Sequence, residues 1–134
     1  MVVRIPRQNE TAIITFLLTT LKTKLSIVNV FKRFKYIDEI NDFPSVCLYV
    51  SSDLKYLEQT AEYGGYLYIS LRGYVKSEDT VGTCDTLVQD IEEAINTITD
   101  ETIFEGIRIS TIRTDEGLFS PFGIIDIGLE VLYQ

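Results

Sequence analysis

The sequence predicts an α+β domain, an antiparallel β-sheet with two amphipathic helices packed on one face, in the order α-β-β-β-α-β-β. Three observations carry this. Apolar residues recur at helical spacing in two separate stretches, near 10–26 and 78–98. Between and after them lie shorter segments, rich in β-branched and aromatic residues, that alternate or run continuously apolar as strands do. These strand segments come in groups and do not alternate with helices, so nothing indicates a parallel sheet built from crossovers. With 134 residues, 46% apolar and 24% charged, one domain spanning 1–134 is expected, burying roughly two-thirds of its unfolded surface around one core.

The first helix is expected over roughly 10–26. Asn9 suits an N-cap, Glu10 complements the helix dipole, and Ile13, Phe16, Leu17, Leu21, Leu25 and Val28 form the apolar stripe, widened by Ile14 and Leu18. Val30 to Ile37 is aromatic and β-branched, and 38–42 (Asp-Glu-Ile-Asn-Asp) reads as a polar turn, so a strand pair flanking that turn is predicted. Ser45 to Val50 is apolar on both faces, which fits a central strand entered through Pro44. Tyr66 to Val75 alternates, with Leu67, Ile69, Leu71 and Val75 facing the core and Tyr66, Tyr68, Ser70, Arg72 and Tyr74 on a wetter face. Ser77 supplies a capping hydroxyl for a second helix over about 78–98, whose stripe is Val81, Cys84, Leu87, Val88, Ile91, Ala94, Ile95 and Ile98. Strands Ile107–Arg113 and Gly123–Tyr133 close the pattern, the last with Ile125, Ile127, Leu129, Val131 and Tyr133 on one face.

Composition excludes much chemistry. The chain has no histidine, the commonest general base, and no nucleophile signature accompanies its serines. Cys47 and Cys84 are too few for a disulfide framework or a four-ligand zinc site, and each lies in an apolar pattern, so both are expected as reduced core residues. Gly64-Gly65, between two tyrosines, reads as a turn and not a phosphate cradle. Asp85, Asp90, Glu92 and Glu93 fit the solvated side of the second helix, and Asp115, Glu116 and Asp126 lack the spacing of a calcium loop. No enzymatic site and no cofactor are expected. The apolar stretch 12–18 is short of the ~20 residues a membrane span needs, and no signal-peptide cleavage site follows it, so neither membrane insertion nor secretion is expected.

The net charge of −8 is divided along the chain. Residues 1–36 carry seven Lys/Arg and one acid, a net +6, and the remaining 98 carry five Lys/Arg and nineteen acids, a net −14. Such polarity suits a subunit whose one side meets the opposite side of an identical neighbour, although a solvated basic helix end explains it equally well. Lys32, Arg33 and Lys35 interleave with Phe31, Phe34 and Tyr36 in a way that superficially fits single-stranded nucleic acid. The alternation instead suggests a strand with aromatics inward, and an overall pI near 4.5 opposes phosphate binding.

Four segments go further. Asp42-Phe43-Pro44-Ser45-Val46, the passage from Ile69 through Gly73 to Asp79, and above all Ser110 to Gly123, which contains Thr114-Asp115-Glu116-Gly117-Leu118, together with the closing Glu130-Val131-Leu132-Tyr133-Gln134, resemble the tail terminator (tail completion) proteins of long-tailed double-stranded DNA bacteriophages. The resemblance runs from about residue 30 to the end. It implies an α+β fold and a structural, non-catalytic role in the virion. A homohexameric ring would cap the head-proximal end of the tail tube, stop its polymerisation and present the surface for head-tail joining, after assembly in the host cytoplasm. The partners implied are other copies of the chain, the tail tube protein, a head-completion or connector protein, and DNA passing through the ring without specific binding, its phosphates repelled if the acid-rich portion lines the channel. The chain lacks a basic extension after its final strand, so contacts made by such a tail in longer relatives are not expected.

The candidate assembly interface is Thr114, Asp115, Glu116, Gly117, Leu118, Phe119, Pro121 and Phe122. The first four read as a turn, with Gly117 free to take positive φ, and Leu118, Phe119, Pro121 and Phe122 are a docking surface held on that turn, unless Leu118 and Phe122 simply plug the end of the sheet. Two other readings stay open: a neck or connector-completion protein of the same particle, and a small ligand-binding or regulatory domain using Tyr66, Tyr68 and Tyr74.

Overall fold

The structure, a computed structural model, describes residues 2–4, 7–25, 29–50, 56–58, 65–98 and 106–133. In chain order the elements are β1 (Val2–Arg4), α1 (Arg7–Leu25), β2 (Asn29–Phe31), a short 3-10 helix (Ile37–Glu39), β3 (Ser45–Val50), β4 (Tyr56–Glu58), β5 (Gly65–Lys76), α2 (Thr80–Asn96), β6 (Gly106–Thr114) and β7 (Phe122–Tyr133). Five strands form one sheet in the order β2-β3-β5-β7-β6, and β1 pairs antiparallel with β4 as a separate two-stranded ribbon. Apart from that ribbon, which the sequence pattern did not indicate, the order is the expected α-β-β-β-α-β-β.

The sheet is mixed, not wholly antiparallel. β3, β5, β7 and β6 pair antiparallel in succession, whereas β2 pairs parallel with β3, Val30 opposite Val46. The strand pair expected around the polar turn at 38–42 is therefore corrected. Only Asn29–Phe31 of the aromatic run joins the sheet, and the chain then crosses the uncovered sheet face before entering β3 in the same direction. Local side chains explain the detour. The Tyr74 hydroxyl donates to the Lys35 carbonyl, Phe34 stacks edge-on against Tyr49 at 5.3 Å with the Arg72 guanidinium 5.3 Å from its ring, and Ile40 is buried with Cys47 and Tyr74 in a small second core. Anchoring Lys35 and Ile40 to β5 and β3 outweighs the strand propensity of the intervening residues.

The main core lies between the helices and the opposite face of the sheet. Ile13, Ile14, Leu17 and Leu21 of α1 and Cys84, Leu87, Val88, Ile91, Ala94 and Ile95 of α2 pack with Leu67, Ile69, Leu71, Val75, Ile125, Ile127, Leu129 and Val131. Both helices thus cover one face, as the two periodicities require, and each fully buried Leu or Ile contributes about 1.5–3 kcal/mol of transfer free energy. Both cysteines are free and buried. Burial pushes both thiols above their ordinary pKa, Cys84 further by the nearby Asp115 and Asp85 carboxylates.

Helix boundaries shift in instructive ways. α1 begins at Arg7, so Asn9 lies within it and is not its cap. α2 begins at Thr80, and its N-cap is Asp79, which accepts from the Gly82 amide at 3.1 Å, while the Ser77 hydroxyl, two residues too early to cap, accepts from the Asp79 amide. The expected turn at Gly64, the continuation of the first helix to Val28, and the side chains of Asn9, Glu10, Tyr66 and Tyr133 lie outside the described residues. Among the described residues, no helix is long and apolar enough to cross a membrane.

Candidate assembly surface

The connection from β6 to β7 is held by one carboxylate. β6 ends at Thr114, and Asp115 then accepts from the Ile124 amide at 3.1 Å with one oxygen and from the Phe119 amide at 3.2 Å with the other. Its own amide donates to the Ile124 carbonyl at 3.0 Å. Asp115 therefore spans the mouth of the loop, using a charge-assisted acceptor where neutral turn residues offer weaker ones. Glu116 and Gly117 both adopt positive φ, +51° and +83°, so the left-handed bend expected at Gly117 begins one residue earlier. Three further backbone bonds close the loop: Leu118 to Asp115, Ser120 to Gly117 and Phe122 to Phe119.

This loop is also tied to the body of the domain. The Ser77 amide donates to the Pro121 carbonyl at 2.9 Å, and the Phe122 ring lies 5.7 Å from that of Phe43 with the Lys76 ammonium 5.4 Å above it. Gly117 sits so close to α2 that a Cβ there would lie 3.3 Å from Val81 Cγ2, and one at Gly123 would lie 2.5 Å from Cys84 Sγ. Glycine at 123 thus lets α2 approach the end of β7.

The eight candidate residues divide. Of the two named for a plug, Phe122 is half-buried against Phe43 but Leu118 is 76% exposed; Phe119 is 54% exposed, and Pro121 is exposed beside them. Thr114, Asp115 and Gly117 build the loop; Glu116 points outward. One member of the patch was missed. Val81, assigned by its spacing to the core stripe of α2, is 47% exposed, at the flank of that stripe beside buried Thr80 and Cys84, and it lies next to Gly117. Its position at the very start of the stripe was the available signal.

The tyrosine face differs from its expected form. Tyr74 is 1% exposed, covered by the 34–40 segment, so an open three-tyrosine platform does not exist at that end. Arg72 there holds Asp126 through two hydrogen bonds of 2.7 and 3.0 Å, which raise its pKa further, and Arg108 pairs with Glu130 across β6 and β7. Asp126 is thus a cross-strand partner and Asp115 a loop staple. Among the described residues, no group of three or more His, Cys, Asp or Glu could hold a metal ion. An open cleft of about 300 Å³ lies where Leu25, Phe43, Pro44, Val75 and Leu87 meet, lined by apolar and threonine side chains with Lys76 and Asp90 at its rim.

Comparison with curated proteins returns no match. A protein-family model described as Bacteriophage Tail Tube Terminator Protein matches residues 17–134, which include both faces of the core, the whole sheet and the stapled loop. The chain therefore belongs to the bacteriophage tail tube terminator family, a structural, non-enzymatic component of the virion tail that caps the tail tube.

Proposed function

We propose that this protein acts as a closed ring, six-fold in the assembled particle, at the head-proximal end of the tube, where it stops tube polymerisation and offers the surface on which the head-completion or connector protein docks. DNA passes through the ring without specific binding. The loop from Thr114 to Phe122 is its assembly surface. The observation that carries this reading is the exposure of Leu118 and Phe119 on a loop fixed by Asp115. A soluble protein gains nothing from holding two large apolar side chains in water on a rigid support, whereas a subunit that buries them on assembly gains both the apolar area and the ordering already in place. Formation of a ring from one chain brings unlike faces together, and the division of charge into +6 over residues 1–36 and −14 over the rest suits such contacts.

Electron microscopy of intact virions tests this directly. The expected map shows the protein as a six-fold ring between tube and head. A single copy, a location elsewhere on the particle, or a symmetry incompatible with the tube contradicts it.

A further inference from the structure

The five-stranded sheet ends in two edges, β2 on one side and β6 on the other. They are unequal: β2 has three residues and β6 nine. Among the described residues no strand pairs with β6 on the side away from β7, so outside its bulge alternate residues turn an N–H and a C=O toward an open edge.

Side chains along this edge are sorted by face, because residues directly opposite one another on paired strands share a face. Ile107, Ile109 and Ile112 stand opposite Val131, Leu129 and Ile127, all buried, so the three isoleucines belong to the helix-covered face. The extra residue at the bulge between Ile109 and Thr111 brings the even-numbered Ile112 into line with two odd-numbered ones. None of the three is sealed. Ile107 and Ile109 are half-buried at the margin of the core, and Ile112 is 41% exposed.

The other face of the strand is cationic. Arg108 and Arg113 stand opposite Glu130 and Asp126. Asp126 is already held by Arg72 through two hydrogen bonds, and Arg108, although paired with Glu130, keeps 75% of its side chain exposed, so both arginines at the edge reach solvent. Gly106 leaves an opening in the same row. A Cβ there would meet nothing within 4 Å, and Leu132 opposite it is 36% exposed, beside a cleft of about 360 Å³ that Gly106, Ile107, Arg108 and Glu130 also line.

One added strand answers all of these features, and they specify its pattern: aliphatic residues beside the isoleucines, carboxylates in alternation with them beside the arginines, and a large apolar residue beside Gly106 to cover Leu132. β7 shows this alternation on the paired side of β6, with Asp126 and Glu130 set among Ile125, Ile127, Leu129 and Val131. The sheet edges of a second copy do not offer it. β6 against β6 sets Arg108 and Arg113 near their own copies, and the three-residue β2 runs directly into Lys32 and Arg33.

We infer that the open edge of β6 is a docking site for an extended strand of a different protein, one that alternates aliphatic with acidic side chains and joins the sheet as its sixth strand. This surface is separate from the loop tip and does not depend on the ring.

A nine-residue synthetic peptide, alternating glutamate and valine with phenylalanine replacing the glutamate at each end, tests the site. Titrated into the wild-type protein, it should bind saturably and slow hydrogen exchange in β6 while leaving α1 unchanged. Arg113→Glu, shown folded by circular dichroism, should weaken binding at least about tenfold, and replacing the peptide's glutamates by lysine should do the same to the wild-type protein. In a map of the intact virion, a strand of another protein should lie hydrogen-bonded along β6. No binding to the folded wild-type protein, equal affinity for the Arg113→Glu variant or for the lysine peptide, protection outside β6 and its neighbour β7, or a virion map in which this edge is bare or paired with another copy overturns the proposal.

Discussion

The second helix and the β6–β7 loop carry apolar residues in similar density and put them to opposite uses. Along α2 the repeat places Cys84, Leu87, Ile91 and Ile95 on one side, where each meets the sheet and none is more than 5% exposed. In the loop, Leu118 and Phe119 have no such repeat, and the bonds to Asp115 and across the turn fix the backbone in a conformation that leaves both side chains exposed. Val81 joins the two regions. It belongs to the helix by spacing and to the loop by position, and its 47% exposure shows where the core ends and the outward surface begins. Periodic apolar residues thus build the domain, while aperiodic ones on a stapled turn stay exposed.

Substitutions can break this contrast. The largest loss of stability is expected in the helix, where Leu87→Ala or Ile91→Ala should cost about 2–5 kcal/mol, the range for large-to-small changes in a packed core. Denaturant midpoints equal to wild type for both would invalidate the assignment of that face. Asp115→Ala removes an acceptor for two backbone amides, one of them the partly buried one of Ile124. A cost of about 1–2 kcal/mol is expected, with loss of hydrogen-exchange protection at the Phe119 and Ile124 amides; unchanged protection there would mean the loop is held by something else. The smallest effect belongs to Leu118→Ala and Phe119→Ala, which should change stability by no more than about 0.5 kcal/mol, as for other exposed positions. A larger loss in either would place that side chain in the core and return the loop to the role of a plug.

Much of the fold was legible because hydrophobic period reports a face. The stripes of α1 and α2 and the alternation in β5 and β7 needed only spacing, and Leu67, Ile69, Leu71, Ile125, Ile127, Leu129 and Val131 are buried where that spacing put them. The parallel β2–β3 pair was not legible. It depends on a hydroxyl of Tyr74 reaching a carbonyl 39 residues away, and the intervening Phe31, Phe34 and Tyr36 alternate as a strand would. β1 and β4 are three residues each, too short to show any period. In the loop, the turn and Gly117's positive φ followed from residue types, whereas the separation of Phe122, which packs, from Leu118 and Phe119, which do not, required coordinates. The same holds for Asp115, whose two acceptor bonds span four and nine residues.

An exposed apolar tip that is dispensable for folding should be indispensable for assembly. The most direct test is complementation of phage lacking this protein with the double variant Leu118→Asp, Phe119→Asp, after circular dichroism and thermal melting have established a native-like fold. Two unpaired charges in a surface that must become dry oppose docking strongly. Filled heads separate from tails, with some tubes longer than normal, are the expected result. Normal infectious particles made with the folded variant would contradict it.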